Sequence, residues 1–249
     1  MSTWRLEWLR LVRTPRAISL GAVFVFFGLT EPALTKYASQ IFSHVSSGAQ
    51  ITFPAPTPAG GVSSYVSQAS QLGMIVVVVL AAGAFTFDSR HGLATFLRTR
   101  AVSMWQLVAP RFAVSAAAAA AAYLLGTLAA WYETSLLIGP VPAGAALGGI
   151  LCGAVYLAFA VAVTGAAASL VRGTLGTVGL ALVVLLLLPI AGLFRAVHDW
   201  LPTTLATAPA DLLTGAHDLV HFVPMLAISA GATAGLLVLT VTRLRAREV

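Results

Sequence analysis

Long apolar stretches separated by short polar breaks dominate the pattern of this chain. A helix needs about 20 apolar residues to cross the ~30 Å hydrocarbon core of a bilayer, because it rises about 1.5 Å per residue. Windows of that length predict six spans, at residues 17–37, 71–87, 107–131, 143–170, 175–194 and 222–242. Since unpaired backbone groups cannot face lipid, all six are predicted to be helices.

Composition agrees with an all-α integral membrane protein that forms a single transmembrane domain over residues 1–249. Of these residues 59% are hydrophobic and only 9% are charged, whereas a soluble domain carries roughly 25% charged residues. The first apolar run follows an arginine-rich start, as in a signal peptide. No small-residue cleavage site follows that run cleanly, so we expect an uncleaved first span.

Positive charge orients the predicted spans. With the amino terminus in the cytoplasm, every Lys and Arg except Lys36 and Arg195 falls on the cytoplasmic side, as the positive-inside rule requires. Both termini and residues 88–106 are therefore predicted to be cytoplasmic, and residues 195–221 external. The high pI indicates contact with anionic lipid headgroups rather than with nucleic acid, because the arginines flank the spans.

Residues 1–16 have the pattern of an amphipathic helix lying in the headgroup plane, with Pro15 turning the chain into the first span. An ordinary basic flank is the alternative. Apolar residues recur at i, i+4 and i+7, and arginines occupy much of the remaining surface. The residues are Trp4, Trp8 and Leu11 on the first side, and Arg5, Arg10 and Arg13 on the second.

Two segments between spans differ in composition. Residues 39–70 are rich in Ser, Pro and Gly, which predicts a loop. Residues 195–221 alternate apolar pairs with polar residues, which predicts short interfacial or re-entrant helices broken at Pro202, Pro209 and Gly215. Such helices would cover one end of the bundle.

Motifs for catalysis are absent from the sequence. The pattern GxxxxGK[ST] is missing, and Lys36 is the only lysine; HExxH and GxSxG are also missing. We therefore expect no catalytic residue, cofactor or metal in this chain. Cys152 is alone, so no disulfide forms within the chain. The predicted external segment also holds a group of residues whose types can ligate a metal ion. We interpret them as polar residues that keep this loop in contact with water. The residues are His198, Asp199, His217, Asp218 and His221.

A basic break follows the second predicted span. Asp88 begins it, Gly92-Leu93 follow, and Arg111 comes soon after a turn at Arg100–Ser103 that lacks proline. Together with the N-terminal basic helix and the six spans, this order resembles the membrane subunits of bacterial ABC type-2 exporters. In that family the corresponding positions hold an acid, a Gly-Thr pair, a turn that contains proline, and a lysine. The segments "FFGLTEPALTKY" and "WLPTTLATA" are also similar to bacterial members.

The resemblance implies a half-transporter in the bacterial plasma (inner) membrane. Two such membrane subunits, identical or homologous, would join two copies of a separate ATP-binding subunit, which would hold the ATP and Mg. Residues 88–106 would be the coupling loop, with Leu93, Phe96 and Leu97 as apolar anchors at helical spacing. The positive-inside rule alone is the alternative explanation of its arginines. The expected coupling residues are Asp88, Arg90, His91, Gly92, Leu93, Phe96, Leu97, Arg98 and Arg100.

The substrate path has few markers. A path with little charge suits a hydrophobic or amphipathic substrate such as a drug, lipid or peptide. Glu31 either contacts this substrate or has a structural role near the headgroups. Two other classes remain open: a membrane-embedded enzyme using the external histidines, and a secondary transporter or assembly subunit without an ATPase. The candidate path residues are Glu31, Gln68, Gln71, Phe85, Thr174 and Thr177.

Overall fold

A computed structural model describes residues 3–45, 55–86, 103–193 and 200–246 of the chain. Within these ranges the chain forms nine α-helices and no strand, and six helical segments are long and apolar enough to cross a membrane. The predicted all-α fold with six spans is therefore confirmed. The helices are α1 (Thr3–Val12), α2 (Arg16–Val45), α3 (Pro58–Gln68), α4 (Met74–Phe85), α5 (Trp105–Leu137), α6 (Ala143–Leu170), α7 (Thr174–Ala191), α8 (Thr204–Thr214) and α9 (Val223–Ala246).

The second span begins earlier than the sequence predicts. Residues 58–70 are helical and not a loop, and α2 also extends to Val45. The Thr57 side chain accepts a hydrogen bond from the Gly60 N–H, and Pro58 occupies the first turn, so α3 has a regular helical start. Its buried face includes Val62, Tyr65 and Val66. The Ser and Gly content of this stretch concealed that apolar periodicity.

One π-helical turn, Ala69–Gly73, joins α3 to α4 within the second span, Pro58–Phe85. Such turns insert one extra residue into a helix and are frequent at functional sites. Gly73 lies directly against the Phe24 ring of α2, where a β-carbon would be too close. The turn is therefore held against the first span while it changes which side chains the second span presents.

Small residues bring α2 and α5 together. Gly28 of α2 lies against the Gly126 backbone of α5, and Gly126 lies against the Phe24 backbone of α2. Close backbone approach of this kind is the usual means of helix packing in lipid. Deeper in the same interface, the Tyr65 hydroxyl donates a 3.2 Å hydrogen bond to the Tyr123 carbonyl, so α3 is tied to α5 as well.

The later spans surround α6, which packs against α4, α5, α7, α8 and α9. A turn of only three residues, Val171–Gly173, links α6 to α7, and Gly173 adopts a φ of 87° that favours glycine. Only one narrow face of α7 is buried, formed by Thr177, Ala181 and Leu185. The remaining surface of α7 is exposed and mostly apolar.

Helix α8 lies across the end of the bundle that is remote from α1, where it contacts α3 and α6. The predicted break at Pro209 is wrong, because the helix continues through this residue and places it against Gly149 of α6. The predicted break at Gly215 agrees with the structure, since this glycine ends α8 in the left-handed conformation. Pro32 likewise lies inside α2 without ending it.

Candidate functional site

Helix α1 is attached to the bundle by a buried ion pair. Arg111 Nε of α5 donates to Glu7 Oε1 across 3.1 Å, and both side chains are buried. Arg10 lies 3.7 Å from the second Glu7 oxygen and donates a 2.8 Å hydrogen bond from Nη2 to the Gly83 carbonyl of α4. One short helix therefore contacts the ends of two spans.

The face of α1 that meets the bundle differs from the predicted apolar side. Glu7 and Leu11 are buried, whereas Trp4 and Trp8 are more than half exposed. Arg5 and Arg13 are also on the exposed surface. The two tryptophans are thus available to the membrane interface, and the in-plane position of this helix stays a prediction. The acid at Glu7, the single carboxylate among the arginines of this helix, was the overlooked signal for the ion pair.

The predicted coupling residues cannot be assigned positions. Asp88, Arg90, His91, Gly92, Leu93, Phe96, Leu97, Arg98 and Arg100 all lie outside the described residues. Their two flanks are described, however. Gly83 precedes the segment near the end of α4, Arg111 follows it in the second turn of α5, and both contact α1. Helix α1 is therefore joined to both sides of the predicted coupling loop.

A cleft of about 530 Å³ lies between the second span, α7 and α8. It extends from the middle of the second span toward the bundle end covered by α8, away from α1. The π turn contributes one wall, the second half of α7 another, and the first turn of α8 a third. The lining residues are Ser70, Gln71, Leu72, Met74, Ile75, Tyr156, Leu185, Leu186, Pro189, Gly192, Leu193, Thr203, Thr204, Ala206 and Thr207.

Three of the four serine and threonine hydroxyls in the described lining already donate their protons. Ser70 donates to the Ser67 carbonyl across 2.9 Å, Thr204 to the Leu201 carbonyl across 2.8 Å, and Thr207 to the Thr204 carbonyl across 3.1 Å. These side chains therefore retain acceptor lone pairs rather than donors. Charged side chains are absent from the described lining.

Tyr156 of α6 forms the inner wall of the cleft. Its hydroxyl donates to the Met74 sulfur across 3.2 Å. A second cavity of about 10 Å³ adjoins this wall. This cavity and the larger cleft are both lined by Ser70, Tyr156 and Ala206. The Tyr156 side chain thus contacts both the cleft and the interior of the bundle.

Among the predicted path residues, Gln71 alone lines this cleft. Gln68 forms a side-chain hydrogen bond with Glu31 of α2, one turn from a 3.0 Å bond between Thr35 and Ser64. These pairs join α2 to α3 and favour the structural interpretation of Glu31.

The other path candidates lie toward the α1 end of the bundle. The Thr174 hydroxyl is 2.9 Å from that of Thr86, and Thr177 donates to the Gly173 carbonyl. The Phe85 ring packs against Gly165. The structure therefore does not bring the six predicted path residues together.

A stacked pair of histidines lies between α8 and α9. His217 and His221 have ring centroids 4.2 Å apart and an interplanar angle of 21°. Nearly parallel rings direct their nitrogen lone pairs side by side rather than toward one ion. No group of three or more metal-ligand residues occurs in the part of the chain that the structure describes. His198 and Asp199 lie outside that part.

Sequence reasoning missed most of the cleft. Thr204 and Thr207 fall in the segment "WLPTTLATA", whose hydroxyls recur at i and i+3, and this spacing was an available signal. Tyr156 carried no such signal, because a lone tyrosine in an apolar span is equally consistent with a core position. The π turn also has no recognisable sequence pattern here.

Comparison with known proteins adds limited information. No protein-family profile matches the chain, and no solved structure matches it. It is 24% identical over 140 residues to the uncharacterized transmembrane protein YxlG of Bacillus subtilis (strain 168). The aligned region covers 55% of this chain and 54% of YxlG, so the chain spans about half the length of the curated relative it matches. With its six apolar helical spans, the chain is a multi-pass membrane protein.

Proposed function

We propose that this chain is the permease subunit of an ATP-driven exporter in the bacterial plasma membrane, with both termini in the cytoplasm. One observation carries the proposal: α1 is fastened to the ends of both helices that border residues 87–102. A loop that transmits force from a soluble ATPase needs a rigid connection to the spans on either side of it. The Glu7–Arg111 and Arg10–Gly83 contacts supply such a connection.

The mechanism follows from these contacts. ATP and Mg would reside on a partner ATPase, present in two copies, and the segment from Asp88 to Arg100 would dock on it. A displacement of that segment would move the end of α4 and the start of α5 together, because α1 bridges them. The second span contains the π turn, so the same displacement would reach the cleft.

A second membrane subunit, identical or homologous, would complete the transporter. The support is the exposed apolar surface of α7, which buries only one face within the chain. An exposed span satisfies its surface either with lipid or with another helix. The cleft borders α7, so a neighbouring subunit at this helix would lie close to the proposed substrate site.

The decisive experiment is co-reconstitution with an ABC ATPase, sought in the adjacent reading frame by its GxxxxGK[ST] pattern. Replacing both Arg98 and Arg100 by Glu should leave membrane insertion intact and abolish stimulation of ATP hydrolysis, because the docking surface would reverse its charge. The matched control replaces Arg13 and Arg172 by Glu, since these exposed arginines belong to the same predicted side but lie outside the loop.

Two results would contradict the proposal. Full ATPase stimulation by the Arg98→Glu/Arg100→Glu variant would show that the arginines serve topology alone. Failure of the purified chain to bind any such ATPase would instead favour a secondary transporter or an assembly subunit.

A further inference from the structure

The lining of the cleft specifies the chemistry of a ligand. We propose that the cleft binds an uncharged amphipath whose polar end carries hydrogen-bond donors, such as hydroxyl or amide N–H groups. The ligand's identity as an exported substrate rests on the proposed function. Binding itself requires no ATPase, so the two proposals can fail separately.

Charge is the first constraint. All described residues that line the cleft are uncharged, and most of its surface is apolar. A charged headgroup entering this site would lose water without gaining an ion partner, which is unfavourable in a medium of low polarity. The described lining therefore offers no ion partner to a cationic or anionic amphipath.

Hydrogen bonding is the second constraint. Three hydroxyls donate hydrogen bonds to backbone carbonyls three residues earlier in the chain, those of Ser70, Thr204 and Thr207. Each oxygen retains acceptor capacity toward the cleft. A ligand that offers only acceptors, such as a simple ester, cannot pair with these groups, whereas a hydroxyl or amide donor can.

Gln71 supplies a side-chain amide that can both donate and accept. Its amide forms no hydrogen bond to other described residues, and it lies in the π turn that shapes the wall. Such turns are frequent at functional sites, and here the turn carries a glutamine that lines the cleft together with the acceptor groups of α8. Together these groups form the polar end of the site.

The remaining lining accommodates an apolar chain. Ile75, Leu185, Leu186 and Pro189 provide aliphatic surface next to the polar end. A volume of about 530 Å³ falls within the range of roughly 300–1,000 Å³ found for small-molecule sites. One acyl chain with a small polar head fits this size.

The test measures protection of a cysteine at the cleft mouth. Leu193 is 79% exposed and lines the cleft, so Leu193→Cys in a Cys152→Ala background reports access to a maleimide in nanodiscs. Four probes share one lauroyl chain: monolauroylglycerol, methyl laurate, lauroylcholine and laurate. Monolauroylglycerol should slow labelling about tenfold at about ten times its Kd, and the other three should protect much less. Ala216→Cys, exposed and outside the cleft, should stay unaffected.

Matched variants test the acceptor groups directly. Thr207 and Thr214 lie on the same helix, are exposed and donate to backbone carbonyls, but Thr207 alone lines the cleft. Thr207→Val should raise the Kd for monolauroylglycerol about threefold to tenfold, as expected for one lost hydrogen bond. Thr214→Val should leave it unchanged. Gln71→Leu should weaken binding similarly or more.

Several results would overturn this proposal. Equal protection by all four probes would show that the chain alone is recognised, and tighter binding of lauroylcholine or laurate would show a charged site. Absence of protection by any probe would remove the site. If Leu193→Cys is unreactive without a probe while Ala216→Cys reacts, a second copy of the chain covers the cleft instead.

Discussion

Arg111 and Glu7 form a hydrogen-bonded ion pair across 3.1 Å between α5 and α1, with relative exposures of only 3% and 6%. Removing one partner of a buried pair leaves the other charge without compensation, which is far more costly than removing both. The pair therefore fixes the position of α1 more firmly than the apolar contacts of this short helix would suggest.

The first prediction concerns this ion pair. Glu7→Ala should lower the free energy of unfolding by about 3–5 kcal/mol, because the buried Arg111 would lose its hydrogen bond to the Glu7 carboxylate. Thermal unfolding of the purified protein in detergent measures the change. The double variant Glu7→Leu/Arg111→Met should recover most of the loss, and exposed Arg13→Gln should have little effect. Equal loss in the single and double variants would contradict the pairing.

A second prediction concerns the Arg10 contact with the Gly83 carbonyl. Arg10→Met removes a charge-assisted bond, but the side chain is 30% exposed, so the cost should be only about 1 kcal/mol. Amide hydrogen exchange in the last turn of α4 should become about fivefold faster. Arg13→Met is the control. Unaltered exchange in the Arg10 variant would mean that α1 does not restrain α4.

The third prediction tests the close approach of α2 and α5. Gly28→Ala places a β-carbon against the Gly126 backbone, so the helices have to separate, with a cost of about 1–3 kcal/mol. Gly21 is on the same helix with open space around it. Gly21→Ala should therefore be neutral or slightly stabilising, because alanine favours helix. Similar melting temperatures for the two variants would argue against tight packing at Gly28.

A fourth prediction concerns the buried hydroxyl of Tyr65, which donates to the Tyr123 carbonyl. Tyr65→Phe should cost about 0.5–1.5 kcal/mol, since one buried hydrogen bond is lost while Thr127 still donates to the same carbonyl. Tyr132 is 59% exposed, so Tyr132→Phe provides a chemically identical control with no expected loss. A larger effect at Tyr132 would place the polar network elsewhere.

The spans were predictable because lipid imposes a length and an apolar composition that the sequence displays directly. The start of the second span was not, since two glycines before Val62 and two serines between Val62 and Tyr65 gave a loop-like composition to a helix whose burial depends on tertiary contacts. The Glu7–Arg111 pair joins residues 104 positions apart. Single-chain periodicity carries no information about such a contact.

The candidate site divides in the same way. Gln71 was identified because a polar residue in a span is conspicuous, whereas its neighbours in space come from α6, α7 and α8 and share no common pattern. Gln68 has the same chemistry and lies one turn earlier, yet it pairs with Glu31. The structure places Gln71 in the π turn at the cleft and Gln68 against Glu31, and residue type alone cannot show that difference.

The three-residue turn at Val171–Gly173 is a short connection about which α7 can tilt relative to α6. The two helices are joined at the α1 end by this turn, and beyond it α7 packs against α4 and α6 through one buried face. Helix α7 has 18 residues and is about 27 Å long, so tilting it by about 10° around the turn would move its far end by about 5 Å. That end carries Pro189, Gly192 and Leu193, so a rotation too small to break the packing at Ala181 would change the width of the cleft mouth.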